Sequence, residues 1–181
     1  MRIVVVTLFA LAGLTGYLLL TGQLTTFAER LAGEPQELEL DLTALHPEMD
    51  RDRFLQGLSP ERFFCTDDTR EHGTELGERA CFTSVHRVSG LETEYLALFF
   101  DEDDRLAAMN IVLREDAHAG NLDYLRETLG EVSHQVEDDG VWLAWGQFEG
   151  VLLTREELPD DEERPTLMWF RDSDLMERLL P

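Results

Sequence analysis

Hydrophobic positions along this chain fall into two regimes. From Ile3 to Leu20 eighteen residues run without a charge, and no charged residue follows until Glu29. Beyond that point apolar residues come in short alternating or helically spaced sets, separated by acids, glycines and prolines. The first regime predicts a transmembrane helix. As a helix it would rise about 27 Å, close to a hydrocarbon core of about 30 Å, and Thr21–Leu24 can extend it. The apolar core of a cleaved export signal is shorter, and a buried globular helix would show a polar face at some helical spacing. The alternative to an uncleaved anchor is cleavage near Ala28, where Thr26-Phe27-Ala28 puts small residues at both required positions. Arg2 and the terminal amine precede the segment, so the positive-inside bias holds the N-terminus in the cytoplasm and exports the rest. Ala12 and Gly16 form a small-xxx-small pair on which two anchors could pack.

The second regime predicts elements. After a juxtamembrane linker over 29–36, with Gly33 and Pro35 as breakers, Glu37-Leu-Glu-Leu-Asp-Leu42 alternates acid and leucine as a half-buried strand does. Pro47–Gln56 reads as a short helix with Pro47 in its first turn and Gly57 just past its end. Ser59-Pro60-Glu61 repeats a helix start and delivers Phe63, Phe64 and Cys65 toward the core. A meander follows, with strands over 80–88, 93–100 and 106–113 joined by Ser89-Gly90 and by the acidic turn 101–104. Leu122, Leu125 and Leu129 mark the buried stripe of a helix from about 117 to 129, ended by Gly130. A second meander takes 131–137, 141–145, 151–154 and 166–170, with Asp139-Gly140 as its hairpin signal. Asp172 or Ser173 caps a last helix through Leu180. Hairpin links between strands favour an α+β fold, namely an N-terminal transmembrane helix and then one antiparallel-sheet domain of two β-meanders separated by a helix. Residues 1–28 form the anchor and 37–181 the acidic domain. The order has the look of a weakly duplicated unit, although no second copy of 106–130 aligns.

Charge narrows the function. The chain carries 38 acids and 15 bases, a formal net charge of −23, and all fifteen bases are arginine. Every acid lies beyond residue 28. Nucleic-acid binding is disfavoured, because phosphate contacts need clustered bases and these arginines are scattered among acids. Anionic lipid headgroups would repel such a surface, so residues 3–20 must supply the membrane attachment. High acidity otherwise fits a solvated surface adapted to salt.

Cys65 and Cys81 are the two cysteines. In an exported domain they pair as a disulfide across a polar loop, closing about 15 residues for roughly 3 kcal/mol in the chain-entropy description. A zinc site built from Cys65, His72, Cys81 and His86 lacks the close ligand pairs that structural zinc uses. The acidic clusters 101–104 and 160–163 do not follow the calcium-loop pattern, so no metal and no cofactor is expected. No nucleophile elbow, metalloprotease helix, Walker loop or dinucleotide fingerprint occurs. Trp142 and Trp145 alternate across one strand, so both faces of the sheet are packed, or else Trp142, Trp145 and Trp169 contribute to an aromatic patch for a partner.

These readings converge on a non-enzymatic interaction or assembly module. It would be single-pass in a bacterial inner membrane, with its C-terminal domain in the periplasm and an envelope protein as partner. The lack of an Asn-x-Ser/Thr sequon is consistent with a bacterial source. The alternative is an anchored envelope hydrolase, or a small-ligand-binding domain with a histidine–carboxylate or aromatic cleft. It requires His86, His118 and His134 to converge.

Overall fold

The computed structural model describes residues 36–58, 62–67, 76–137, 140–147, 150–158 and 164–172. The segment 3–20, the cleavage position at Ala28, the linker apart from Gln36, Ser59-Pro60-Glu61, the acidic run 160–163 and the last helix lie outside the described residues. Among the described residues no helix is long and apolar enough to cross a membrane.

The described strands are β1 (Gln36–Leu38), β2 (Phe64–Asp67), β3 (Arg79–Val88), β4 (Leu91–Phe100), β5 (Leu106–Leu113), β6 (His134–Glu137), β7 (Val141–Gln147), β8 (Gly150–Arg155) and β9 (Thr166–Phe170). The helices are α1 (Arg51–Gly57) and α2 (His118–Leu129). All nine strands belong to one sheet, ordered β1-β3-β4-β5-β9-β8-β7-β6, with β2 also paired to β3. The domain is sheet-dominated, with two helices on a mixed sheet.

The expected antiparallel sheet needs one correction, because β1 runs parallel to β3. The chain between them is long and carries α1, which lets it return in the same direction. β1 and β2 share one edge of β3, pairing with 85–88 and 79–82 respectively. The alternation read over 37–42 is real, since leucines 38, 40 and 42 are buried and residues 37, 39 and 41 exposed. Pairing nevertheless stops at Leu38. Beyond it the backbone of Leu40 is held instead by the Ser89 hydroxyl, which accepts from its N–H and donates to its carbonyl. Ser89 and Gly90 turn the chain between β3 and β4 with φ of 48° and 94°, a left-handed pair suited to a two-residue hairpin.

The first helix starts later than Pro47 predicted. Asp50 caps it by accepting from the N–H groups of Asp52 and Arg53 at 3.1 and 3.2 Å, so the cap outweighs the proline. Gly57 is the helix's last residue rather than the one past its end. Strand β2 was not expected, because a run of Phe64-Cys-Thr-Asp67 is too short to show a period.

Topology shows the duplication that sequence could not. One helix and four strands (α1, β2–β5) are followed by one helix and four strands (α2, β6–β9). Each set has the sheet order of its chain order, and the two sets meet through their last strands, β5 and β9. Asn110 opposite Met168 is the midpoint of that antiparallel pair.

The sheet buries both faces. On one, Leu55 and Leu58 at the end of α1, with Leu122 and Leu125 of α2, pack with Leu96, Leu98, Met109, Ile111, Trp145 and Trp169. On the other lie Ala80, Phe82, Ala97, Phe99, Ala108, Trp142, Leu153 and Phe170. Packing on the helix face is tight at Gly150, where a Cβ would meet Trp169 Nε1 at 2.4 Å. Trp169 is 0% exposed and cannot swing clear. Gly150→Ala is therefore expected to lower stability by about 1–3 kcal/mol through overpacking. Urea unfolding followed by tryptophan fluorescence checks this; an unchanged midpoint would contradict the packing at this position.

Candidate functional site

The three tryptophans read, from sequence, either as core residues on two packed faces or as an aromatic patch for a partner. Trp142, Trp145 and Trp169 are 4%, 1% and 0% exposed. Trp142 and Trp145 do point to opposite faces, as their spacing requires, and both faces are packed. Trp145 Nε1 donates to the Gly130 carbonyl at 3.1 Å, tying β7 to the end of α2. The Arg155 guanidinium lies 5.0 Å from the Trp142 ring centroid, a cation–π contact across β7 and β8. An exposed aromatic patch on these three residues is thus corrected to core packing. Leu158, at 49%, is the large apolar side chain that the described surface exposes.

Cys65 and Cys81 form the expected disulfide, directly opposite one another on β2 and β3. Their sulfurs are bonded to each other, which removes them as zinc ligands. His72 lies outside the described residues.

The other histidines do not gather. His86 is on β3, with Nε2 3.3 Å from a Glu37 carboxylate oxygen. His134 is on β6, at the opposite edge of the sheet. His118 opens α2 and is buried, with Nε2 3.2 Å from the Glu156 carbonyl. The cleft that a histidine–carboxylate hydrolase requires is not assembled by these three residues.

The acidic turn 101–104 has a different chemistry from the one a calcium loop needs. Asp101 Oδ1 accepts from the N–H groups of Asp103 and Arg105 at 3.0 and 2.9 Å, and Oδ2 accepts from Arg171. Asp104 Oδ1 lies 2.9 Å from Arg79 Nη1 and 3.1 Å from Arg51 Nη1. Arg105 reaches Glu48 at 2.6 Å. Three arginines from distant parts of the chain, Arg51, Arg79 and Arg171, therefore converge on one hairpin tip. No group of three or more His, Cys, Asp or Glu side chains among the described residues is arranged to hold a metal. The signal missed in sequence is the arginine spacing, which is legible only once β3, β5 and β9 lie side by side.

A second constellation is the aromatic floor of the face away from the helices. Phe82 stacks on Tyr95 with ring centroids 5.9 Å apart and meets Phe99 edge-on at 6.2 Å. Burial there pushes the Tyr95 phenol well above its ordinary pKa, so it stays neutral. Asn110, at the centre of the same face, has a buried Oδ1 without a hydrogen-bond partner.

No protein-family model matches the chain, and no curated protein matches it in sequence. Among solved structures it is similar to a DUF4309 family protein (YjgB) from Bacillus subtilis subsp. subtilis str. 168. Identity is 13%, the TM-score is 0.34, and the match covers 50% of this chain and 64% of that one. The chain thus spans less than two thirds of that protein, and so distant a likeness says nothing of what either does.

The Asp101 contacts carry a pH dependence. Burial raises the carboxyl's pKa, but hydrogen bonds from Arg105, Arg171 and Asp103 together with the Arg171 charge outweigh it and hold it below its ordinary value. A carboxylate depressed on folding contributes stability that is complete above its unfolded pKa of about 3.9, and loses it as pH falls through the lower folded value. Asp101→Asn keeps the acceptor for the two N–H groups but removes the charge facing Arg171. The variant is expected to be less stable at pH 7 by about 1–3 kcal/mol. The gap should close as pH drops below roughly 4. Urea midpoints across pH check it; a gap that does not narrow in acid would contradict the ion-pair account.

Proposed function

We propose that this chain is a membrane-anchored, extracytoplasmic interaction or assembly module of a bacterial cell envelope, without enzymatic activity of its own. The observation that carries the reading is the Cys65–Cys81 disulfide, since structural disulfides persist in oxidising compartments. It follows, in chain order, an eighteen-residue uncharged stretch of bilayer length at the N-terminus. In this reading residues 3–20 cross the inner membrane once, with the N-terminus cytoplasmic and residues 37–181 periplasmic.

The side chains support a binding role over a catalytic one. The histidines of β3, α2 and β6 sit apart, and Asp101, Asp104 and Glu48 are engaged with arginines as structural pairs. Recognition would run through the acidic surface, because the chain carries a formal net charge of −23 and its described aromatic rings are mostly buried. The partner is therefore an envelope protein with a basic face, held by contacts that salt weakens. Nucleic acid fits neither the charge nor the compartment.

Affinity capture of the full-length protein from its native membranes tests this, with washes of rising salt. The expected result is an integral membrane protein with no free thiol under denaturing, non-reducing conditions, retaining a basic envelope protein that salt releases. Two free thiols, or recovery in the soluble fraction without cleavage near Ala28, would overturn the compartment. No retained partner at low salt would overturn the binding role.

A further inference from the structure

The two ends of the sheet are not alike. At one end the Glu37 carboxylate of β1 is engaged by His86 at 3.3 Å and by Arg87 at 3.4 Å. Next to it in the sheet, Glu92 and Glu94 of β4 pair with Arg87 and Arg164. At the other end β6 is the last strand, and among the described residues β7 is its one strand neighbour. Alternate residues of such a strand turn their N–H and C=O groups away from the sheet. His134, Gln135 and Glu137 are exposed and Val136 is half-buried. The strand carries neither the proline nor the lysine that commonly blunts an edge. Glu131 and Glu137 are exposed, and among the described residues neither carboxylate meets an arginine or a histidine.

Side-chain alternation says what fits beside this edge. Val136 packs with the Trp142 face of the sheet, so Gln135 and Glu137 lie on the other face. An added strand therefore meets an apolar position on one face and an unpaired carboxylate on the other. Its matching sequence alternates apolar and basic residues. The chain itself supplies no such stretch outside the described residues. Residues 21–35, 68–75 and 173–181 hold one arginine each, and 59–61, 138–139, 148–149 and 159–163 hold none. A second copy brings the same net charge of −23 and is repelled.

We propose that β6 is a strand-addition site, at which an extended basic segment of another protein continues the sheet. Main-chain hydrogen bonds to the outward groups of 134–137 supply affinity, and basic side chains reaching Glu137 and Glu131 supply selectivity. The inference rests on the envelope reading for the partner's location, and it gives that partner's basic face a shape: an extended chain rather than a helix or a rigid patch. The position suits the role. β6 lies at the far end of the sheet from β1, the strand that follows the proposed anchor, so a partner segment can pair there without displacing any described strand.

Hydrogen exchange on the full-length protein in nanodiscs of zwitterionic lipid tests this, with and without a short peptide alternating arginine and valine. Alternate amides of 134–137 are expected to exchange fast in the free protein and to become protected when the peptide is added. Methylating every backbone nitrogen of the peptide keeps its charge but removes its donors, and is expected to weaken binding by about tenfold. Glu131→Gln combined with Glu137→Gln is expected to weaken it severalfold at low salt and little at high salt. Three results would each overturn the site: β6 amides all protected before peptide is added, protection that appears elsewhere but not on β6, or equal binding of the methylated peptide. Capture from native membranes separates this inference from the reading beneath it. A basic partner held equally by the wild type and the double Gln variant would overturn the edge site and leave the envelope reading standing. No partner held by either would remove the envelope reading, and the peptide result then decides the edge by itself.

Discussion

Everything in this domain depends on the pairing of β5 with β9. Each half, one helix with four strands, is a meander whose last strand would be an open edge if it stood alone. An open edge offers unpaired N–H and C=O groups to any passing strand. Antiparallel pairing of 108–112 with 166–170 satisfies both edges at once and turns two incomplete sheets into one. It also sets the position of the core, since Met109 opposite Trp169 and Ile111 opposite Leu167 lie beneath the helices. Arg171 then locks the end of β9 to the β4–β5 turn through Asp101, so the joint is closed by charge where the strands stop.

A sheet assembled in this way has two apolar faces, and it needs two covers. α1, α2 and the leucines of 38–45 supply the first. The second is lined by small alanines and large aromatics and is buried as well, with Phe64 and Leu76 among the side chains packed against it. That division places the chemistry outside the core. What the domain offers a partner is its rim and loops, where carboxylates outnumber arginines and where the proposed envelope contacts would be made. Recognition by charge is fast and salt-sensitive, which suits an assembly contact made at a membrane surface.

Much of the fold was legible in the chain. The strands read over 80–88, 93–100, 106–113 and 166–170 and the helix from about 117 to 129 fall within two residues of the observed elements, and the cysteines form the expected disulfide. What escaped was non-local. The parallel pairing of β1 depends on which edge of β3 remains free, and nothing in Gln36-Glu-Leu38 records that. The repeat is one of element order and sheet order, which a comparison of residues does not report. For the tryptophans, alternation tells that a strand has two faces but not whether the outer face is covered, so two-sided packing and a docking patch both stay open until burial decides. Asp101 and Asp104 looked like a loose acidic tip because their arginines come from residues 51, 79 and 171.

Native-state hydrogen exchange on the full-length protein tests the central claim most directly, because amide protection reports which strands open together. The account predicts that the β5 and β9 amides exchange slowest and at one common free energy, since their pairing is lost only when the whole sheet is lost. Faster exchange of α2 and β6–β9 as a block, while β3–β5 remain protected, would show two independent halves and contradict a fold built on that joint.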